Sequence, residues 1–196
     1  VYLAGESFPV VAGVLAPSTT GRGLAFRYAN SYLSRENRVA LGPDLELGTT
    51  VFPPAIGHSM PSSIRDAMPD TWGRQVVNRE LGRDVEDDLP DVQYMLKSGS
   101  DRVGALDFQA SPYEYVARTS GGSLTRIGEV ATAIDENEPV GAGLLNAVRN
   151  TLTAAGGSQP KAYVTLDGRQ WLAKFQTSYD KHSPLIKAER AALFIA

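Results

Sequence analysis

The chain has 196 residues, 42% hydrophobic and 21% charged, a balance that suits one or two globular domains with a sizeable core. Nineteen Lys and Arg against 22 Asp and Glu give a net charge of −3, so no overall basic field directs the chain to nucleic acid or to an anionic membrane. The absence of cysteine excludes disulfides and thiolate metal sites and fits a reducing cytoplasm, the expected location. No apolar run reaches the roughly 18 residues of a membrane span, and no membrane partner is expected.

In chain order, "PVVAGVLA" and "LAFRYANSYL" are expected to be short strands on either side of the Gly-rich "TTGRG". Leu24, Phe26 and Tyr28 alternate as a half-buried antiparallel strand requires. Helical patterns follow in "SSIRDAMPDTWGRQVVNREL" and "LPDVQYMLKSG". Pro69 should break the first, and Gly82 and Gly99 should mark helix ends. "DRVGALDF" and "EYVAR" read as strands returning to the sheet, and the Gly and Ser content of "ASPYEYVARTSGGS" places a boundary near 110–125.

Beyond that boundary Leu124, Ile127, Val130, Ala131 and Ile134 recur at helical spacing, and Leu144, Leu145 and Val148 form a second, shorter stripe. "KAYVTLDGRQWLAKF" is two β-rich runs around Asp167-Gly168, a strong hairpin signal. Ser183-Pro184 suits the cap and first turn of a last helix. The chain opens without methionine and stops in the helix-like "AERAALFIA", so a fragment of a longer protein is expected.

One charged residue is out of place by composition alone. Lys174 sits in "WLAKF", where strand alternation puts it on one face with Leu172 while Trp171, Ala173 and Phe175 take the other. Glu189 raises the matching question, because it falls on one stripe of the last helix with Leu185, Ala192 and Ala196, the apolar side. Buried charges seldom stand alone. A strand lysine, a glutamate on the next helix and a Gly-containing loop one hairpin upstream are the upper half of a kinase-type ATP site: the lysine holds the α and β phosphates, the glutamate orients it, and loop amides cover the phosphates. The loop matches neither G-x-G-x-x-G nor G-x-x-x-x-G-K-[ST].

"GGSQPKA", "WLAKF" and "ERAALFIA", in order after "MPDTWGRQ" and "GSDRVGALDF", resemble the HipA-like serine/threonine kinase toxins of bacterial toxin–antitoxin systems. The resemblance implies an α+β chain: an N-terminal subdomain of small antiparallel sheet plus helices over 1–110, then the beginning of a kinase N-lobe over 111–196, with helices, a β-hairpin and a helix in the place of αC. It implies that the full enzyme uses ATP with Mg2+ to phosphorylate an aminoacyl-tRNA synthetase, usually the glutamyl one, and so arrests growth, favouring persistence. A DNA-binding HipB-like antitoxin is the implied partner, with nucleic acid reached only through it.

Carried over residue by residue, Gly156, Gly157, Ser158, Gln159 and Lys161 resemble the phosphate-covering loop, Lys174 the nucleotide-contacting lysine, and Glu189 its ion-pair partner. Many members carry an autophosphorylated serine at the start of the loop. Here Ala154 stands there, so such regulation is lost or moves to Thr153 or Ser158. The catalytic aspartate, the asparagine and the metal-binding aspartate belong to the C-terminal lobe, so no catalytic residue is expected within these 196 residues. The rival expectation is a non-catalytic module that binds an antitoxin or a separate kinase.

Other features read as structural. His58 and His182 lack companions for a metal site, and "DVEDDLPD" lacks the spacing of a calcium loop. "SMPSS" has no neighbouring base or nucleophile elbow. Trp72, Trp171, Phe26 and Tyr28 are expected in cores, and Arg22, Arg27, Arg35 and Arg38 on a solvated surface.

Overall fold

The structure is a computed structural model and describes residues 1–4, 8–19, 23–102, 104–119, 122–153, 159–167, 169–181 and 185–195. Arg22, His182, Ser183 and Pro184 thus lie outside the described residues. The fold is α+β, as expected. In chain order it comprises β1 (Tyr2–Leu3), β2 (Val10–Val11), β3 (Gly13–Pro17), β4 (Leu24–Tyr28), α1 (Asn30–Leu33), α2 (Ser62–Arg65), α3 (Thr71–Glu80) and α4 (Asp91–Lys97). There follow β5 (Leu106–Asp107), α5 (Leu124–Asp135), α6 (Ala142–Thr153), β6 (Lys161–Leu166), β7 (Arg169–Lys174), a 3₁₀ turn (Tyr179–Lys181) and α7 (Leu185–Ile195). None of these helices is long and apolar enough to cross a membrane.

Two compact units emerge, and neither is continuous in sequence. The first comprises 1–68, 91–96 and 102–117, the second 69–90, 97–101 and 118–196. Residues 69–90 therefore pack with the helices that follow position 110 rather than with the strands that precede them.

In the first unit β1 is the centre of a three-stranded antiparallel sheet of order β2-β1-β5, and β3 pairs with β4 from Gly13↔Tyr28 to Pro17↔Leu24. The alternation of β4 puts Phe26 and Tyr28 inward, where they pack with Leu3, Tyr32, Leu45, Met60, Ile64 and Met95. A buried hydroxyl needs a partner. Tyr28 Oη donates to the Leu45 carbonyl at 2.6 Å, and Tyr32 Oη to that of Val39 at 2.7 Å, so the two rings pin the loop after α1. The strand stops at Tyr28, and "NSYL" winds into α1 instead of extending it.

A buried ion pair closes this unit. Arg102 and Asp107, with side chains 3% and 0% exposed, approach to 3.2 Å. The other guanidinium nitrogens donate to the carbonyls of Ala67 and Met95, and the group lies 5.0 Å over the Phe108 ring. "EYVAR" forms no strand. Gln109 Nε2 donates to the Val116 carbonyl and Tyr2 Oη to that of Glu114, so side chains hold this stretch in place of a ladder.

The second unit is built on α3, α5 and α6. Their apolar faces, Trp72 and Val76, Ile127, Val130, Ala131 and Ile134, then Leu145, Val148 and Leu152, form one core with Ala162 and Val164 of the β6–β7 hairpin. Pro69 separates α2 from α3, as its missing N–H and ring require. Gly82 ends α3 at φ +67°, with Gly82 N bonded to Arg79 O and Arg83 N to Asn78 O, the paired bonds of a Schellman stop. Gly99 serves otherwise than as a helix stop. A Cβ there would stand 2.2 Å from the Asn150 carbonyl oxygen, so the residue lets the chain lie against α6, where Gly99 N donates to Thr153 Oγ1 at 2.8 Å.

The hairpin pairs antiparallel from Lys161↔Lys174 to Leu166↔Arg169, with Asp167 at φ +51° in the turn. Trp171 departs from expectation. It is 54% exposed although it stands directly opposite the buried Val164, while Leu166 at the turn end and Leu172 on the opposite face are about half exposed.

Candidate functional site

The register of the hairpin makes Lys161 and Lys174 direct cross-strand partners. Directly opposed residues of an antiparallel pair project to the same face, and like charges so placed repel. The two lysines singled out by sequence therefore form one cationic patch at the end of the hairpin away from its turn. Lys174 Nζ donates to Glu189 Oε1 of α7 in a direct ion pair, so the strand lysine and helix glutamate are brought together.

The surroundings differ from expectation in one respect. Helical periodicity puts Glu189 on the apolar side of its helix, yet its side chain is 47% exposed and that of Lys174 28%. Residues 187–192 of α7 are all exposed, so Glu189 and Ala192 of that stripe lie at the surface. The pair is open to solvent, where such a contact adds at most about 1 kcal/mol of stability.

Around the lysines lie two acids that sequence reasoning passed over. Asp70 caps α3, its Oδ1 accepting from Gly73 N at 3.4 Å, while Oδ2 is buried without a hydrogen-bond partner. Burial pushes this carboxyl above its ordinary value of 3.8, against the hydrogen bond from Gly73 and the charge of Lys161. Asp180 is 4% exposed in the 3₁₀ turn. Both were legible as caps, Asp70 before "TWG" and Asp180 in Thr177-x-x-Asp180, but a cap signal does not say what else the carboxylate faces.

Of the expected loop, Gly156, Gly157 and Ser158 lie outside the described residues, as does Ala154. Gln159 is described, and its Nε2 donates to Asp180 Oδ2 at 3.4 Å. Thr153, named for autophosphorylation, is 2% exposed at the end of α6. Its hydroxyl accepts from Gly99 N and donates to the Asn150 carbonyl at 3.3 Å, so it is occupied as a packing staple.

The residues present suit a polyphosphate: two ammonium groups stand on one face, Lys174 paired with Glu189 and Lys161 within reach of the Asp70 charge. Among the described residues no group of three or more His, Asp and Glu is arranged to hold a metal.

The fold and this constellation define an α+β protein with a strand lysine paired to a helix glutamate. The family described as the HipA N-terminal domain matches residues 8–109, more than half of the chain, and the chain belongs to that family. A comparison with curated proteins gives no match.

Proposed function

We propose that this chain carries the nucleotide-holding half of a HipA-type serine/threonine kinase. The observation that carries the reading is the juxtaposition of Lys161 and Lys174 across the hairpin, with Glu189 bonded to Lys174 from the following helix. In that role Lys174 and Lys161 hold the phosphates of ATP, Glu189 fixes the rotamer of Lys174, and the segment of Gly156, Gly157, Ser158 and Gln159 supplies backbone amides. Bound ATP, with Mg2+, would supply the phosphoryl group. The acceptor is a serine on an aminoacyl-tRNA synthetase, the glutamyl enzyme by family resemblance, and a DNA-binding HipB-like antitoxin restrains the toxin. Since Thr153 is packed, loop autophosphorylation is assigned to Ser158.

Titration of the 196-residue chain with ATP tests the reading. Saturable binding that is lost in Lys174→Ala supports it, and absence of binding by the wild type at millimolar ATP overturns it. The same chain should incorporate no label from γ-labelled ATP, because none of its residues is assigned as the base.

A second reading has its own support. The family match ends at residue 109, before either lysine, and the first unit holds an apolar cavity of about 290 Å³ walled by Tyr2, Val14, Leu15, Met95, Leu96 and Phe108. A non-catalytic module that binds an antitoxin or a separate kinase would need that region and not Lys174. Co-purification with the antitoxin that survives Lys174→Ala but not a polar substitution of Leu96 would favour it.

A further inference from the structure

The stretch from Phe175 to Asp180 links β7 to the 3₁₀ turn, and hydrogen bonds anchor it at several points. Phe175 N donates to the Pro160 carbonyl at 2.9 Å, which ties the exit of β7 to the entrance of β6. The Phe175 ring lies over α5 at Gly128, where a Cβ would stand 3.4 Å from Cε1. Ser178 N donates to Asp135 Oδ2 at 2.6 Å, a second tie to α5. Thr177 and Asp180 then cap each other: Asp180 N donates to Thr177 Oγ1 at 3.2 Å and Thr177 N to Asp180 Oδ2 at 3.0 Å.

That reciprocal cap accounts for an aspartate here but not for its burial. A carboxylate that is 4% exposed must recover its hydration from donors. One donor comes from outside the turn, Gln159 Nε2, on the same oxygen that takes the Thr177 amide. Gln159 is followed by Pro160 and Lys161, so the carboxylate reaches the chain just before the lysine that stands opposite Lys174.

We infer that Asp180 is a positioning residue for the phosphate site: anchored to α5 through its own segment, it holds Gln159 and thereby fixes the entrance of β6 and the stance of Lys161. The inference rests on the nucleotide reading above. It assigns to the linker between Lys174 and Glu189 the task of setting Gln159 and Lys161 relative to Lys174. Asp180 itself touches no phosphate in this arrangement.

Two measurements on the 196-residue chain test it: ATP affinity by calorimetry and amide hydrogen exchange across β6. Gln159→Ala leaves the Thr177–Asp180 cap intact and so keeps the fold. It should weaken ATP roughly tenfold, the worth of one hydrogen bond to a charged group, and speed exchange in β6. Asp180→Ala should do the same, and the double variant should lose no more than either single one. Gln159→Glu opposes two carboxylates and should weaken binding. Wild-type binding unchanged by Gln159→Ala, or additive losses in the double variant, overturns the inference alone. If the wild type binds no ATP, the nucleotide reading falls, and exchange decides the rest: unchanged β6 exchange in Gln159→Ala sinks the bracing role, and faster exchange upholds it.

Discussion

Lys161 and Lys174 stand directly opposite each other on neighbouring antiparallel strands, Lys174 bonded to Glu189 and Lys161 close enough to Asp70 for its charge to act on that carboxyl. The arrangement is unfavourable for stability and favourable for holding an anion, so the two properties should move in opposite directions. Lys161→Gln removes a like-charge repulsion and should leave stability unchanged or raise it by up to roughly 0.5 kcal/mol, while weakening ATP binding. Urea denaturation and ATP titration of the same variant check both signs. A variant that loses stability and affinity together would mean that Lys161 is structural.

The Lys174–Glu189 pair is open to solvent, with side chains 28% and 47% exposed. Glu189→Gln should therefore shift the unfolding free energy by less than about 1 kcal/mol. Its effect on ATP affinity should be much larger than that. Thermal unfolding and calorimetry give the comparison.

Asp44 takes hydrogen bonds from the hydroxyl and the amide of Ser63 at the start of α2. Burial alone would raise its pKa, but these bonds outweigh burial and hold the carboxyl below its ordinary 3.8. A depressed folded-state pKa gives stability that is present above the unfolded value and lost as pH falls through the folded one. The advantage of the wild type over Ser63→Ala should thus be full at neutral pH and shrink on acidification below about pH 4. Melting temperatures measured from neutral pH down to about pH 2.5 test this.

Asp70 behaves in the opposite sense. Burial raises its folded-state pKa above 3.8, so the folded chain keeps a proton that the unfolded chain has given up, and stability falls as pH rises through that window. Asn caps a helix as well as Asp does. Asp70→Asn should abolish the fall and be at least as stable as the wild type at neutral pH, whereas Asp70→Ala loses the cap at a cost of about 1 kcal/mol. Denaturation of the three proteins across the acid range makes the comparison.

The buried pair of the first unit predicts a large, local penalty. Arg102→Ala removes the guanidinium that lies against Asp107, 0% exposed, and should cost about 3–5 kcal/mol. Replacing both with apolar residues should cost much less. Denaturant curves of the single and double variants distinguish loss of the guanidinium beside a buried carboxylate from packing lost.

Much of the second unit was legible because its signals are local. The spacing of Ile127, Val130, Ala131 and Ile134 gives α5 and its buried face directly, and Asp-Gly gives the hairpin. The Lys174–Glu189 contact followed from the order of strand and helix. What sequence could not give depends on distant packing: the exposure of Trp171, although it stands opposite the buried Val164, and that of Glu189, although it falls on the apolar stripe of its helix. "EYVAR" has strand composition, but hydrogen bonds from Gln109 and Tyr2 hold it, and no pattern in the five residues announces those. Thr153 looked available beside a glycine loop and proved to be a staple for Gly99.

β1, at Tyr2–Leu3, is the middle strand of its sheet, yet one of its neighbours is β5, at Leu106–Asp107. On the ribosome β1 emerges well ahead of that second partner, which follows only after residues 69–90, which belong to the other unit, have already appeared. Through that interval one edge of β1 has no native mate, the condition in which strands recruit foreign ones. Completion of the first unit is thus a late event in synthesis although β1 is made before the sheet's other strands, and nascent chains halted before Asp107 should depend on chaperones more than those released after it.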